Sequence, residues 1–259
     1  NQLIAGKGNG LIKIVTGIRR CGKSYLLFSL FREHLINSGV DESHIIEIAL
    51  DDRINIELRD PDNILRYIRG KITDKDLYYI LLDEVQLIPE FEDVLNSLLH
   101  IRNSDVYVTG SNSRFLSSDI ITEFRGRGDE IRLYPLSFSE FCVGYKGDWN
   151  QAWKEYYTYG GLPLVLSLDN NKKKSDYLAN LYKSVYLIDI IERNKIKNQD
   201  EFDELVKTIA SSIGSPSNPT KLSNTFQSLK KTKIHHQTIS NYLSFMEEAF
   251  LVEKSVRYD

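Results

Sequence analysis

The sequence predicts an α/β fold: a parallel sheet flanked by helices and carrying a phosphate-binding loop, then a mostly helical part ending in a winged helix-turn-helix. Three observations predict it. Short runs that are apolar almost throughout alternate with helical patterns as far as about residue 133, which is how strands of a sheet covered on both faces read. Gly17-Ile18-Arg19-Arg20-Cys21-Gly22-Lys23-Ser24 lies between an apolar run and a helical pattern, the strand–loop–helix setting that a phosphate loop needs. From about Pro135 the alternation stops and helical periodicity takes over.

In order, residues 1–10, with Gly6, Gly8 and Gly10, read as a loop, and Leu11–Val15 as the first strand. A helix is expected from Lys23 to about Asn37, with Leu26, Leu27, Leu30, Phe31 and Leu35 on one face and Ser38-Gly39 as its stop. Ile45–Leu50 reads as a strand, Pro61–Gly70 as a short helix, and Tyr78–Glu84 as an apolar strand ending in two carboxylates. Pro89 and Glu90 open a helix that turns Phe91, Val94, Leu95 and Leu98 inward. Val106–Asn112 is a fourth strand and Glu130–Leu133 a fifth. Ligands of such sheets bind at the carboxyl ends of the strands, where Gly17, Asp83 and Ser111 would share one crevice. Beyond it, helices are expected over Trp149–Tyr159, Ser175–Arg193, Glu201–Ile213, Lys221–Leu229 and His236–Phe250, with a last strand at Leu251–Lys254. The organisation expected is a nucleotide domain over residues 1–142, a helical linker or lid over 143–200, and a winged-helix-like domain over 201–259.

The 259 residues suffice for one large domain or two ordinary ones, and a formal charge of -3 announces no whole-protein affinity for nucleic acid or membrane. Cys21 and Cys142 are isolated and fit neither a disulfide framework nor a metal site. No apolar run approaches spanning length and the N-terminus lacks a signal-peptide pattern, so the expected compartment is the cytoplasm, with no membrane partner. The chain begins without Met and stops just after an apolar run; both ends read as cut from a longer protein.

The chemistry follows from the loop. Gly17 and Gly22 let the backbone curl so that N–H groups converge on phosphate oxygens at a helix N-terminus. Lys23 would contact the β/γ-phosphates and Ser24 would offer its hydroxyl to Mg²⁺. Cys21 and Tyr25 complete the nucleotide-binding set with Arg20, which like Arg19 either reaches phosphate or decorates the rim. Asp83 would hold the metal shell opposite Ser24, and Glu84 would orient the attacking water. Ser111 or Asn112 could reach the γ-phosphate from the fourth strand, and Arg125 and Arg127 are candidates for an arginine finger. In the last part, Ser217–Met246 contains no Asp or Glu and carries Lys221, Lys230, Lys231, Lys233, His235 and His236. The winged-helix pattern there serves DNA contact in some proteins and protein contact in others. Lys230, Lys231, Lys233 and His235 are the candidate DNA contacts, the paired histidines being groove or surface residues rather than metal ligands.

With these residues in view, the chain resembles a family of prokaryotic ATPases of the AAA+ superfamily, P-loop proteins that join a nucleotide domain to a winged helix and usually a C-terminal restriction-endonuclease-like domain. The resemblance is carried by the phosphate loop, Leu82-Asp83-Glu84-Val85-Gln86, Thr109-Gly110-Ser111-Asn112-Ser113, Gly126-Arg127 and Tyr134-Pro135-Leu136-Ser137-Phe138-Ser139-Glu140-Phe141. Gly160-Gly161-Leu162-Pro163, Thr238–Leu243 and Glu248–Val252 extend it over nearly the whole chain. It implies an ATP-driven switch or motor core that uses ATP and Mg²⁺. Lys23 and Ser24 would be phosphate and metal contacts, Asp83 and Glu84 metal-shell and catalytic residues, Ser111 the sensor and Arg127 the finger. A finger acting in trans implies a homo-oligomer, working on an unidentified protein client. The endonuclease-like domain has no counterpart in the chain, and no second sensor arginine stands in the helical part. Two rivals remain open: a nucleotide-gated DNA-binding regulator with slow or no turnover, and a scaffold that binds nucleotide without hydrolysing it.

Overall fold

The computed structural model describes residues 2–110, 126–230 and 234–255. They fall into two units, residues 1–167 and 168–259. The first is built on five parallel strands, β1 (Ile12–Thr16), β2 (Ile45–Ala49), β3 (Tyr78–Asp83), β4 (Ser104–Thr109) and β5 (Gly128–Arg132), in the order β2-β3-β4-β1-β5. Side chains alternate across the pleat. Ile12, Ile14, Ile46, Ile48, Ile80, Leu82, Val106 and Val108 face one layer, made by α4 (Pro61–Lys71) and α5 (Phe91–Leu98). Val15, Tyr79, Leu81, Tyr107 and Ile131 face the other, under Leu27, Phe31 and Leu35 of the helix that follows the phosphate loop. Burial on both faces is why the central strands β1, β3 and β4 read as mostly apolar runs, whereas the edge strands β2 and β5 are partly exposed.

Lys13 breaks the run of β1, yet it is wholly buried. Its ammonium pairs with Asp105 of β4, donates to Leu11 O at 2.7 Å and lies 4.7 Å from the centre of the Tyr107 ring. Asp105 accepts in addition from Tyr107 Oη and from Gly8 N, both at 2.9 Å. A buried charge is tolerated only when paired and hydrogen-bonded, and this network also ties the N-terminal segment to the sheet. That segment is not wholly a loop: Gln2–Ala5 forms a helical turn, α1, with Leu3 buried against the sheet.

The helix after the phosphate loop runs as α2 (Lys23–Tyr25), a π-helical stretch Leu26–Phe31 and α3 (Arg32–Asn37). The apolar spacing marks the helix but not this change of hydrogen-bond register. Beyond β5 an unforeseen helix, α6 (Phe138–Gly144), starts on a capping box: Ser137 N donates to Glu140 Oε2 at 2.8 Å and Glu140 N to Ser137 Oγ at 3.4 Å. Then come α7 (Trp149–Tyr159) and α8 (Pro163–Leu166).

The second unit is helical. It comprises α9 (Asn171–Leu181), a π-helical stretch Tyr182–Leu187, α10 (Ile188–Arg193), α11 (Gln199–Ser211), α12 (Pro219–Lys230) and α13 (His236–Glu248). Phe202, Leu205, Leu222, Phe226, Ile239, Tyr242 and Met246 form its core. The strand expected at Leu251–Lys254 does not form. A strand needs a hydrogen-bonded partner, and the described residues of this unit contain none.

Candidate functional site

The carboxyl ends of β1, β3 and β4 lie side by side, so the residues that terminate them meet at one edge of the sheet. Lys23, 5 % exposed, turns its ammonium back onto the loop, donating to Gly17 O at 2.9 Å and Ile18 O at 3.2 Å. The Ser24 hydroxyl comes near enough to the Asp83 carboxyl to lower its proton affinity, which brings the phosphate loop to the end of β3. Thr109, the last residue of β4, donates its hydroxyl to Asp83 Oδ1 and accepts Glu84 N–H at 3.1 Å. One hydroxyl therefore holds both acidic residues from the neighbouring strand. Gln86 donates its amide to Glu84 Oε2.

The backbone at this edge is locally strained. Arg20 in the loop and Glu84 after β3 both take left-handed conformations, φ 68° and 56°, at a cost of about 1–3 kcal/mol each. Burial pushes the Asp83 carboxyl above the usual carboxylate range; the bond from Thr109 and the nearby Ser24 hydroxyl oppose the shift, and the charges of Glu84 and Asp51 add to it. A cation held there would relieve that shift, because carboxylate and hydroxyl oxygens are the ligands Mg²⁺ prefers. Cys21 is buried with its thiol aimed at Leu133 O at 3.7 Å; burial raises its proton affinity, so it is not a poised thiolate. Tyr25 is 65 % exposed.

Not every expected residue joins this edge. Arg127 stands just before β5, where its carbonyl accepts Ile12 N–H at 2.9 Å. In the parallel register Ile12 faces Gly128 and Thr16 faces Arg132. Arg127 is thus at the amino end of the strands, about 15 Å of strand from the loop. Ser111, Asn112, Arg125, Lys231 and Lys233, with the side chain of Lys230, fall outside the described residues. His235 caps α13, its ring nitrogen facing Gln237 N at 3.3 Å.

Sequence reasoning assigned no role to Thr109 or Gln86, although both sit inside quoted motifs; the signal for Thr109 is a lone hydroxyl ending an apolar strand beside the acidic one. The segments on either side of α6 and α7 have a structural job. Gly17 approaches Leu133 so closely that a Cβ there would run into Leu133 O, and a Cβ at Gly161 would run into Leu136 O. Leu136 N donates to Gly161 O at 2.8 Å, and a side chain at Gly22 would touch the Pro163 ring. The exit of β5 is therefore clamped between the phosphate loop and the Gly160–Pro163 turn. Gly161→Ala is expected to destabilise the unit by about 1–3 kcal/mol, read by denaturant unfolding on the fluorescence of Trp149 and Trp153, the chain's two tryptophans, both on the helix that leads into that turn.

Among the described residues no helix is long and apolar enough to cross a membrane. Across 264 aligned residues the chain is 33% identical to an uncharacterized protein of Haemophilus influenzae, with 100% of this chain and 65% of that protein covered. An uncharacterized protein of Methanocaldococcus jannaschii is 26% identical, with 93% and 55% covered; the chain thus spans less than two thirds of either relative. Among solved structures, Aeropyrum pernix ORC1 in complex with DNA is similar at TM-score 0.41 and 11% identity, covering 92% of this chain and 78% of that one. The replication initiator DnaA bound to AMPPCP and single-stranded DNA is similar at 0.37 and 15%, covering 92% and 82%. Residues 150–259 match a domain of unknown function (DUF8612). Residues 9–142, just over half of the chain, match the family described as AAA domain, and to that family the chain belongs.

Proposed function

We propose that the protein is a Mg²⁺-dependent ATPase working as a switch or motor core. The observation that supports this most is the approach of the Ser24 hydroxyl to the Asp83 carboxyl, which brings together a phosphate loop and an acidic strand end that lie 59 residues apart in the chain. Lys23 and the loop amides would bind the phosphates, and Ser24 with Asp83 would hold Mg²⁺, whose charge offsets that of the phosphate oxygens. Glu84, its backbone tied to Thr109 and its carboxylate to Gln86, would orient a water. The water oxygen bonds to the γ-phosphorus, the bond to the β–γ bridging oxygen breaks with its electron pair leaving on ADP, and the water's proton passes to Glu84 and on to solvent. Phosphate release from ATP by the wild-type protein, with Mg²⁺ and with EDTA, tests this. Metal-dependent release is the expected result; ATP binding without release would leave the nucleotide-binding scaffold in its place.

A second reading, nucleotide-gated DNA binding, is favoured by the acid-free segment Ser217–Met246 on the helical pair α12 and α13. Lys230, Lys231, Lys233 and His235 would be its contacts. Duplex DNA titrated at several salt concentrations separates the readings: a salt-steep affinity that flattens when the three lysines are replaced supports it, and no binding at low salt removes it.

A further inference from the structure

We propose that Asp51 is a third carboxylate of the metal–nucleotide site, an outer ligand that sets how tightly the divalent cation is held; this rests on the ATPase reading above. Asp51 lies just past β2, the neighbour of β3, where Ala49 pairs in register with Asp83. The chain stays beside β3 one residue further, with Leu50 N donating to Asp83 O at 3.1 Å.

The turn that presents Asp51 is held through its main chain. Asn55 Nδ2 donates to Ala49 O at 2.9 Å, Arg59 Nε to Leu50 O at 2.7 Å and Arg59 Nη2 to Asp51 O at 3.4 Å. The adjacent acids then divide. Asp52 spends its carboxylate on a cap, accepting Ile54 N–H at 3.0 Å. The Asp51 carboxylate is exposed and makes no hydrogen bond or ion pair among the described residues, although its charge is felt at Asp83. Arg59 could have neutralised it and instead bonds main-chain carbonyls. A solvent-facing, uncompensated carboxylate on a turn whose main chain is held beside Asp83 suits the water shell of a hydrated dication: Mg²⁺ keeps several waters, and those waters need acceptors.

The test titrates Mn²⁺ into the full chain with a non-hydrolysable ATP analogue, following free Mn²⁺ by electron paramagnetic resonance, and measures analogue affinity separately in EDTA. Asp51→Asn should weaken Mn²⁺ binding about 10-fold while leaving metal-free analogue affinity unchanged or tighter, because a negative charge near the phosphates has gone. Asp52→Asn should match wild type in both. The proposal is overturned if Asp51→Asn binds Mn²⁺ like wild type, if it loses metal-free affinity equally, or if Asp52→Asn reproduces its effect. Wild type that takes up neither analogue nor Mn²⁺ removes the ATPase reading itself, and this proposal with it.

Discussion

Replacing Arg127 with alanine should lower ATP turnover about 10³-fold, the loss typical of a missing arginine finger, and should leave ATP binding intact. The geometry dictates how. Arg127 lies at the amino end of β5, a strand length from the phosphate loop of its own chain, with an exposed side chain. A finger there would serve a site on another copy. Its main-chain carbonyl, the group that holds Ile12 N–H, is untouched by the substitution, so the fold should survive. Turnover per chain should therefore rise with protein concentration in the wild type. Mixing two inactive variants sharpens the test: Arg127→Ala keeps its pocket but lacks the finger, whereas Lys23→Ala lacks the phosphate contact but keeps the finger. A mixed assembly contains sites with both, and activity should return. A rate independent of concentration and unchanged in Arg127→Ala would remove the finger assignment.

What the sequence made legible follows from how each feature is encoded. Buried parallel strands are apolar on both faces, so β1, β3 and β4 are legible directly and the partly exposed β2 and β5 only by their place in the alternation. The phosphate loop is legible because Gly17 and Gly22 take positive-φ backbone that other residues rarely adopt, with Lys23 and Ser24 at fixed spacing. The single charge inside β1 was not legible: Lys13 is explained only by Asp105, 92 residues away. The π-helical stretch Leu26–Phe31 leaves the amphipathic spacing intact while changing the hydrogen-bond register. The capping box of Ser137 and Glu140 is in plain view in the sequence, since Ser-x-x-Glu at the head of an apolar stretch is a helix start. The failed strand at Leu251–Lys254 teaches the opposite lesson. Strand propensity in Leu-Val is a weak prior, and it loses where the described surroundings offer no pairing edge. Thr109 belongs to the same class as Lys13, because its meaning lies in the strand beside it.

Glu84→Gln should bind ATP and fail to turn it over, with a fall of about 10²–10⁴-fold, the range for loss of a positioned general base. The argument is that this substitution removes only the charge. Gln at position 84 is isosteric, its amide oxygen can still accept from Gln86, and the main-chain bond from residue 84 N–H to Thr109 is unaffected. The left-handed backbone at φ 56° is no harder for Gln than for Glu. Removing a carboxylate next to Asp83 takes a negative charge away from the phosphates and should, if anything, strengthen nucleotide binding. Affinity for a fluorescent ATP analogue and single-turnover hydrolysis, measured on the same preparation, separate the two effects. Equal losses in both would make Glu84 a structural support of the loop, and full turnover would mean that the water is oriented by another group. Because the amide can neither carry a negative charge nor take up a proton at neutral pH, raising the pH should not rescue the variant, whereas an indirect electrostatic role would leave a pH-dependent residue of activity.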